Sequence, residues 1–148
     1  MSRLELAIYY VALDVGGQPA LFVRRRSGND ADRYIGPRSA LADGVENMQL
    51  VFASDDRSAL GVGGVDDNAD TYKVASDVSG TYDDIAAWQR VIAVRVGVQL
   101  RSPSPSTAVA GAAPTPLRNA DTVITPADDG RLRATYEAMI AIRNRVRN

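Results

Sequence analysis

The clearest pattern along the chain is the alternation of apolar and polar residues that ends at position 101. Side chains two positions apart on a β-strand lie on the same face, so this alternation predicts a half-buried strand over 91–100. We expect its apolar face to lie in the core and its polar face to be open. The apolar face carries Val94, Val96, Val98 and Leu100, and the opposite face carries Arg95, Gly97, Gln99 and Arg101.

The first part of the chain predicts a β-hairpin. The runs Leu4–Leu13 and Ala20–Arg26 are rich in β-branched, aromatic and other apolar residues, as buried strands are. Gly16 and Gly17 lie between them, and a Gly-Gly pair between two apolar runs is a strong turn signal. Weaker signals predict a strand from Val45 to Phe52, short strands at Tyr72–Ala75 and Asn119–Ile124, and one helical turn at 83–88 with an aspartate as its N-cap.

Together these elements predict a mainly β (α+β) protein with an antiparallel sheet, long loops and at most short helices. The length of 148 residues fits a single domain over 1–148. Within it, residues 102–118 form a loop rich in Pro, Ala and Ser that we expect to be flexible, because proline cannot donate to a ladder. Residues 131–147 fit either a helix or a strand, since good helix formers and an alternating apolar pattern coincide there.

Composition removes several classes of function. The chain has no cysteine and no histidine, which excludes disulfides, thiolate catalysis, an imidazole base and the usual zinc sites. With 17 basic and 18 acidic residues it lacks the basic excess of a nucleic-acid-binding protein. No segment reaches the roughly 18 apolar residues of a membrane span. We therefore expect neither an enzyme nor a cofactor, and no nucleic-acid partner.

One segment has a weak resemblance to a calcium site. Asp66, Asn68 and Asp70 alternate as the first oxygen ligands of an EF-hand loop do, inside an Asp-rich stretch over 55–77. The sixth and twelfth positions, which should be Gly and Glu, are Thr71 and Asp77. A solvated polar turn is the better interpretation, and an adhesive or calcium-binding β-domain that uses this loop is the alternative function.

Several segments, in order, resemble the C-terminal half of PilW-type minor pilins, which assist type IV pilus assembly. They include the first hairpin, the strongest strand, and two more specific blocks: Asp43-Gly44-Val45-Glu46-Asn47-Met48-Gln49 and the closing Ile142-Arg143-Asn144-Arg145. The resemblance implies a pilin-like or pseudopilin-like head located in the periplasm or on the cell-surface pilus. Full-length relatives are anchored in the inner membrane by an N-terminal helix. That helix is missing from this sequence, so we expect a soluble fragment, a natural truncation or a divergent paralogue.

The resemblance also bears on partners and on the chain end. It implies binding to other minor pilins and to the pilus assembly machinery, and it favours a strand over a helix for 131–147. Arginine-bearing faces and strand edges are suited to such contacts, and weak self-association is a further expectation. Our interaction candidates are Arg95, Arg101, Arg143 and Arg145.

Overall fold

The computed structural model describes residues 6–26, 36–55, 69–78, 84–109 and 111–142. This part of the chain is mainly β with antiparallel strand pairs and only short helices, which confirms the predicted fold class. The strand orders are β1-β2-β3, β5-β4-β6-β9 and β7-β8. The strands are β1 Leu6–Leu13, β2 Pro19–Arg26, β3 Ser39–Asp43, β4 Val45–Ser54, β5 Thr71–Lys73, β6 Val91–Arg101, β7 Leu117–Asn119, β8 Thr122–Ile124 and β9 Arg133–Ala141. The helices are α1 Ala75–Val78, α2 Ile85–Trp88 and a 3₁₀ turn at Thr107–Val109.

The chain divides into two compact units. Unit 1 comprises Met1–Met48, Val98–Pro116 and Thr125–Ala134. Unit 2 comprises Gln49–Gly97, Leu117–Ile124 and Thr135–Asn148. A single domain over 1–148 stays a prediction. No helix in the part of the chain described here is long and apolar enough to span a membrane.

Unit 1 contains the predicted hairpin. Strands β1 and β2 pair antiparallel, and Tyr10 faces Phe22 across the pair with the ring centroids 5.8 Å apart. The guanidinium of Arg38 lies 4.8 Å from the centre of the Phe22 ring. Phe22 is buried together with Ala20 and Val23, so β2, the middle strand, supplies the centre of this sheet.

A glycine turn separates β3 from β4, and the sequence pattern missed both this turn and strand β3. Gly44 has a φ of +77°, and a Cβ at this position would lie 2.7 Å from the Arg101 carbonyl oxygen. Only glycine therefore fits here without strain. The Gly44 N–H donates to the Pro19 carbonyl at 2.7 Å, and its own carbonyl accepts from the Arg101 N–H at 2.8 Å. The turn thereby ties strands β2 and β6 of unit 1 together.

Unit 2 has a small core around the second half of β4. Val51 and Ala53 are buried, and Phe52 meets Trp88 edge to face with ring centroids 5.1 Å apart. The predicted helical turn is confirmed as α2, and the Asp84 carboxylate accepts a hydrogen bond from the Ala87 N–H at 3.1 Å as its N-cap.

Three predicted elements differ in detail. The strand predicted over Asn119–Ile124 is instead the hairpin β7–β8, which turns at Ala120 with a φ of 52°. The short strand predicted at Tyr72–Ala75 ends at Lys73 and is followed by α1. The loop predicted over 102–118 stops at Pro116, where β7 begins, and its flexibility stays a prediction. The open choice at the chain end is decided for strand over Arg133–Ala141 by β9, and residues 143–147 lie outside the described residues.

Candidate functional site

Arg101, one of the interaction candidates, belongs to a charge cluster in unit 1. Its guanidinium donates to Glu46 Oε1 at 3.2 Å and to Gln18 Oε1 at 3.0 Å. Arg133, whose side chain is only 5% exposed, donates to both oxygens of Glu46, at 2.6 and 3.0 Å, and to both oxygens of Asp129, at 2.8 and 2.9 Å. The planar guanidinium suits this bridging of two carboxylates. The cluster therefore cross-links segments 55 and 87 positions apart in the sequence.

The cluster perturbs the acid–base equilibria of its members. The hydrogen bonds from Arg133 lower the pKa of Asp129 from 3.8 to about 2, and the N–H of Arg131 adds to this effect. The hydrogen bond to Asp129 is the largest cause of a rise in the pKa of Arg133 above its already high ordinary value, and the hydrogen bond to Glu46 is the second. Asp129 and Arg133 thus keep their charges at neutral pH, which is the behaviour of a structural ion pair.

The cluster also anchors the start of the Pro-rich loop. Arg131 donates to the Ser102 carbonyl at 2.9 Å and to the Pro103 carbonyl. The Ser106 N–H donates to the Gly130 carbonyl at 2.7 Å. The first residues of the loop are therefore bonded to the segment 130–131.

Arg95, the second interaction candidate described by the structure, is held by residues of unit 2. It donates to both oxygens of Asp121 at 3.0 and 3.1 Å and lies 3.9 Å from Glu137 Oε2. Its guanidinium also lies 5.1 Å from the centre of the Tyr72 ring. Glu137 in turn accepts from the Ala120 N–H at 2.7 Å, so Arg95 and Glu137 fasten the β7–β8 hairpin to β6 and β9.

The prediction that the polar face of β6 is open is wrong. Gly97 and Gln99 are buried, and both arginines on that face are bonded within the chain. Over Gly97 the cover is the β7–β8 hairpin, with Asn119 and Ala120 in direct contact. The neighbouring apolar residues of β6, Val94 and Val96, are only half-buried. Direct contact of Arg95 and Arg101 with a partner stays a prediction.

Several predicted site residues fall outside the described residues. Asp66 and Asn68 of the calcium hypothesis do so, as do Arg143 and Arg145 of the interaction hypothesis. Asp70 is described, and its N–H donates to the Ser54 carbonyl at 3.0 Å next to β5. Among the described residues no group of three or more carboxylates is arranged to hold a metal ion. Calcium binding stays a prediction that calorimetric titration would test.

The sequence patterns missed the cluster around Arg133. Asp129, Arg131 and Arg133 stand at every second position, although Gly130, with a φ of 66°, interrupts an extended course between the first two. That spacing was the available signal, but the carboxylate of Glu46 is 87 positions away from Arg133 and no local pattern connects them.

A second feature missed from sequence is exposed apolar surface. Large apolar side chains are exposed on the outer strand of each main sheet described. On β1 these are Leu6, Ile8, Tyr9 and Leu13; on β9 they are Tyr136, Met139 and Ile140. Exposed apolar surface of this kind commonly marks a protein–protein contact.

Comparison with protein families agrees with the resemblance noted in the sequence. A family model described as Type IV Pilus-assembly protein W matches residues 8–144. No match was found among curated proteins or among solved structures. The match spans almost the whole chain, including both units, and the chain therefore belongs to the type IV pilus-assembly protein W family.

Proposed function

We propose that this chain acts as a minor pilin component of type IV pilus assembly, by binding other pilus subunits and without catalysing a reaction. Family membership supplies the pilus. The observation that supports a binding role is the exposed apolar surface of unit 1, on the outer strand β1. We place this function on the periplasmic side of the cell envelope, where full-length relatives are expected to be anchored in the inner membrane.

Strand β1 supplies a defined contact surface. Tyr9, Val11 and Leu13 alternate with the residues of the other face, so their side chains share one side of the strand. Tyr9 is 50% exposed and Leu13 is 61% exposed. Burying such side chains against a partner removes apolar area from water, and tyrosine is among the residues that contribute most to interfaces. We therefore assign subunit contact to this side of β1.

The Arg101 cluster bonds the turn that follows β1, through Gln18. Because Arg101 bonds Glu46 and Gln18, its loss would loosen the strands of unit 1 as well as any partner contact. Weaker partner binding by an Arg101 variant is therefore informative only where its unfolding temperature is unchanged. Substitutions on β1 avoid this ambiguity because they change exposed side chains.

The test is capture of other pilus subunits from the same organism. Purified wild-type chain should retain one or more of them, and Tyr9→Asp should weaken binding at least tenfold. Leu41→Asp is the matched control, since Leu41 is equally exposed at the opposite edge of the same sheet, on β3. Failure of the folded wild-type chain to retain any pilus subunit would refute the proposed function. Equal loss for both variants would refute the assignment to β1.

A further inference from the structure

Strand β9 is an outer strand of the sheet β5-β4-β6-β9. Every residue from Tyr136 to Ile142 is exposed. Tyr136, Met139 and Ile140 are each more than half exposed. A fully exposed apolar edge strand is unusual, because unpaired backbone groups at such an edge can pair with another chain.

The direction of the backbone N–H and C=O groups shows which residues of β9 point away from β6. The Ile142 N–H donates to the Ile92 carbonyl at 2.8 Å, so Ile142 points its backbone groups toward β6. Alternate residues of a strand point their backbone groups to the same side. Tyr136, Ala138 and Ile140 therefore bond toward β6, whereas Thr135, Glu137, Met139 and Ala141 direct their N–H and C=O groups outward. No strand in the described ranges pairs with that outer side.

The usual protection of an edge strand is missing from β9. Proteins block edges with lysine, proline, bulges or charges that point along the edge. From Thr135 to Ala141 the only charged residue is Glu137. Its carboxylate is already bonded to the Ala120 N–H and lies near Arg95, on the face covered by the β7–β8 hairpin. As far as the described residues go, the outer edge is thus open to a second strand.

We propose that β9 pairs antiparallel with β9 of a second copy of this chain, on a two-fold axis through Ala138. In this register Tyr136 lies opposite Ile140 of the other copy, and the pair occurs twice. Aromatic and β-branched residues opposite each other stabilise antiparallel pairs. The same register sets Glu137 opposite Met139, whereas pairing centred one residue earlier would set Glu137 opposite itself. Like charges directly opposite are destabilising, so charge disfavours the axis at Glu137.

A second copy fits this edge because the pairing closes on itself. A two-fold contact uses the same strand on both partners and leaves no further edge free at that site. Seven residues on each side, 135–141, take part. An interface of this size buries less surface than the about 1,200 Å² at which stable complexes begin. We therefore expect a dissociation constant in the micromolar-to-millimolar range. This pairing does not depend on the proposed pilus function and uses a strand other than β1.

Sedimentation velocity over a concentration series tests the pairing. The wild-type chain should shift from monomer to dimer, and Met139→Pro should remain monomeric. Proline at 139 removes an outward N–H that bonds to no strand in the described part of the chain, so the fold should tolerate it. If the proline variant does not fold, Met139→Glu takes its place: it keeps the N–H but sets a carboxylate opposite Glu137 of the other copy, so it should weaken dimerisation at least tenfold. A wild-type chain that stays monomeric up to about 1 mM would overturn the proposal.

Cysteine cross-linking tests the register. The chain has no cysteine, so Ala138→Cys introduces a single thiol. Residues facing each other at a two-fold, non-hydrogen-bonded position lie within disulfide range. Ala138→Cys should therefore form a covalent dimer under mild oxidation, and Ala141→Cys, which would face Thr135 of the other copy, should not. Equal cross-linking of both variants would overturn the register. A third outcome is also distinguishable. If the wild-type chain is monomeric and Met139→Pro no longer captures a pilus subunit, the edge binds that subunit and the pairing between copies is wrong.

Discussion

Gly97→Ala is the sharpest test of how the polar face of β6 is covered. An alanine Cβ at position 97 would overlap Asn119 Oδ1 and lie 3.0 Å from the Ala120 nitrogen and 3.3 Å from the Ala120 Cβ. Asn119 and Ala120 are almost completely buried, at 0% and 1% exposure, so neither can move aside into solvent. The β7–β8 hairpin must therefore shift away from β6 to admit one methyl group.

The expected cost follows from these contacts. Overpacking a buried site by one methyl group costs about 1–3 kcal/mol. A shifted hairpin also lengthens the 2.7 Å hydrogen bond from Ala120 to Glu137, and a bond to a charged group contributes about 1.5–3 kcal/mol. The same shift of the hairpin relieves the overlap and lengthens the hydrogen bond, so the two costs are not fully additive. We expect a loss of about 2–4 kcal/mol in the free energy of unfolding. At about 2–4 °C per kcal/mol, Tm should fall by about 4–16 °C.

Thermal and urea unfolding followed by circular dichroism measure this loss. Gly16→Ala is the matched control, because the nearest atom to a Cβ at 16 is Oδ1 of the half-buried Asp14, at 3.3 Å, a much milder contact that should change stability by less than about 0.5 kcal/mol. If Gly97→Ala is as stable as the wild-type chain, the hairpin does not pack on β6 and the account of the covered face is wrong.

Two further predictions concern the charge cluster of unit 1. Arg133→Lys keeps the charge but loses the planar fork that bonds Glu46 and Asp129, so urea unfolding should show a loss of about 1.5–3 kcal/mol. Arg118→Lys, at a side chain 71% exposed, should be neutral, and equal effects of the two substitutions would contradict the prediction. The pKa of Asp129 is lowered from 3.8 to about 2 on folding, so its contribution to stability is complete above 3.8 and is lost as pH falls toward 2. The Tm difference between wild type and Asp129→Asn should therefore shrink across that pH range, and a constant difference would exclude this linkage.

Local patterns predicted most of the strands correctly. The Gly-Gly turn and its flanking apolar runs predicted β1 and β2, and alternation predicted β6. The misses follow from short signals. Strand β3 has only five residues, all exposed, and the hairpin β7–β8 turns at Ala120, a residue type that gives no turn signal.

The candidate surfaces were less accessible to sequence reasoning. The arginines were correctly placed on one face of β6 with Gly97, but their carboxylate partners lie far away in the chain. Exposure of β9 could not be predicted either, because a strand of alternating apolar residues has the same sequence pattern at the centre of a sheet and at its edge.

The sequence by itself determined the class of fold, the positions of strands β1, β2, β4 and β6 and, through blocks spread over 8–144, the pilus-assembly family. These properties depend on local periodicity, turn residues and composition. Only the tertiary structure decided that the polar face of β6 is covered, that Arg95 and Arg101 are bonded within the chain, and that β9 is an open edge. The physical reason is that burial and ion pairing depend on which distant segments meet, such as Glu46 and Arg133, and strand periodicity carries no information about that choice.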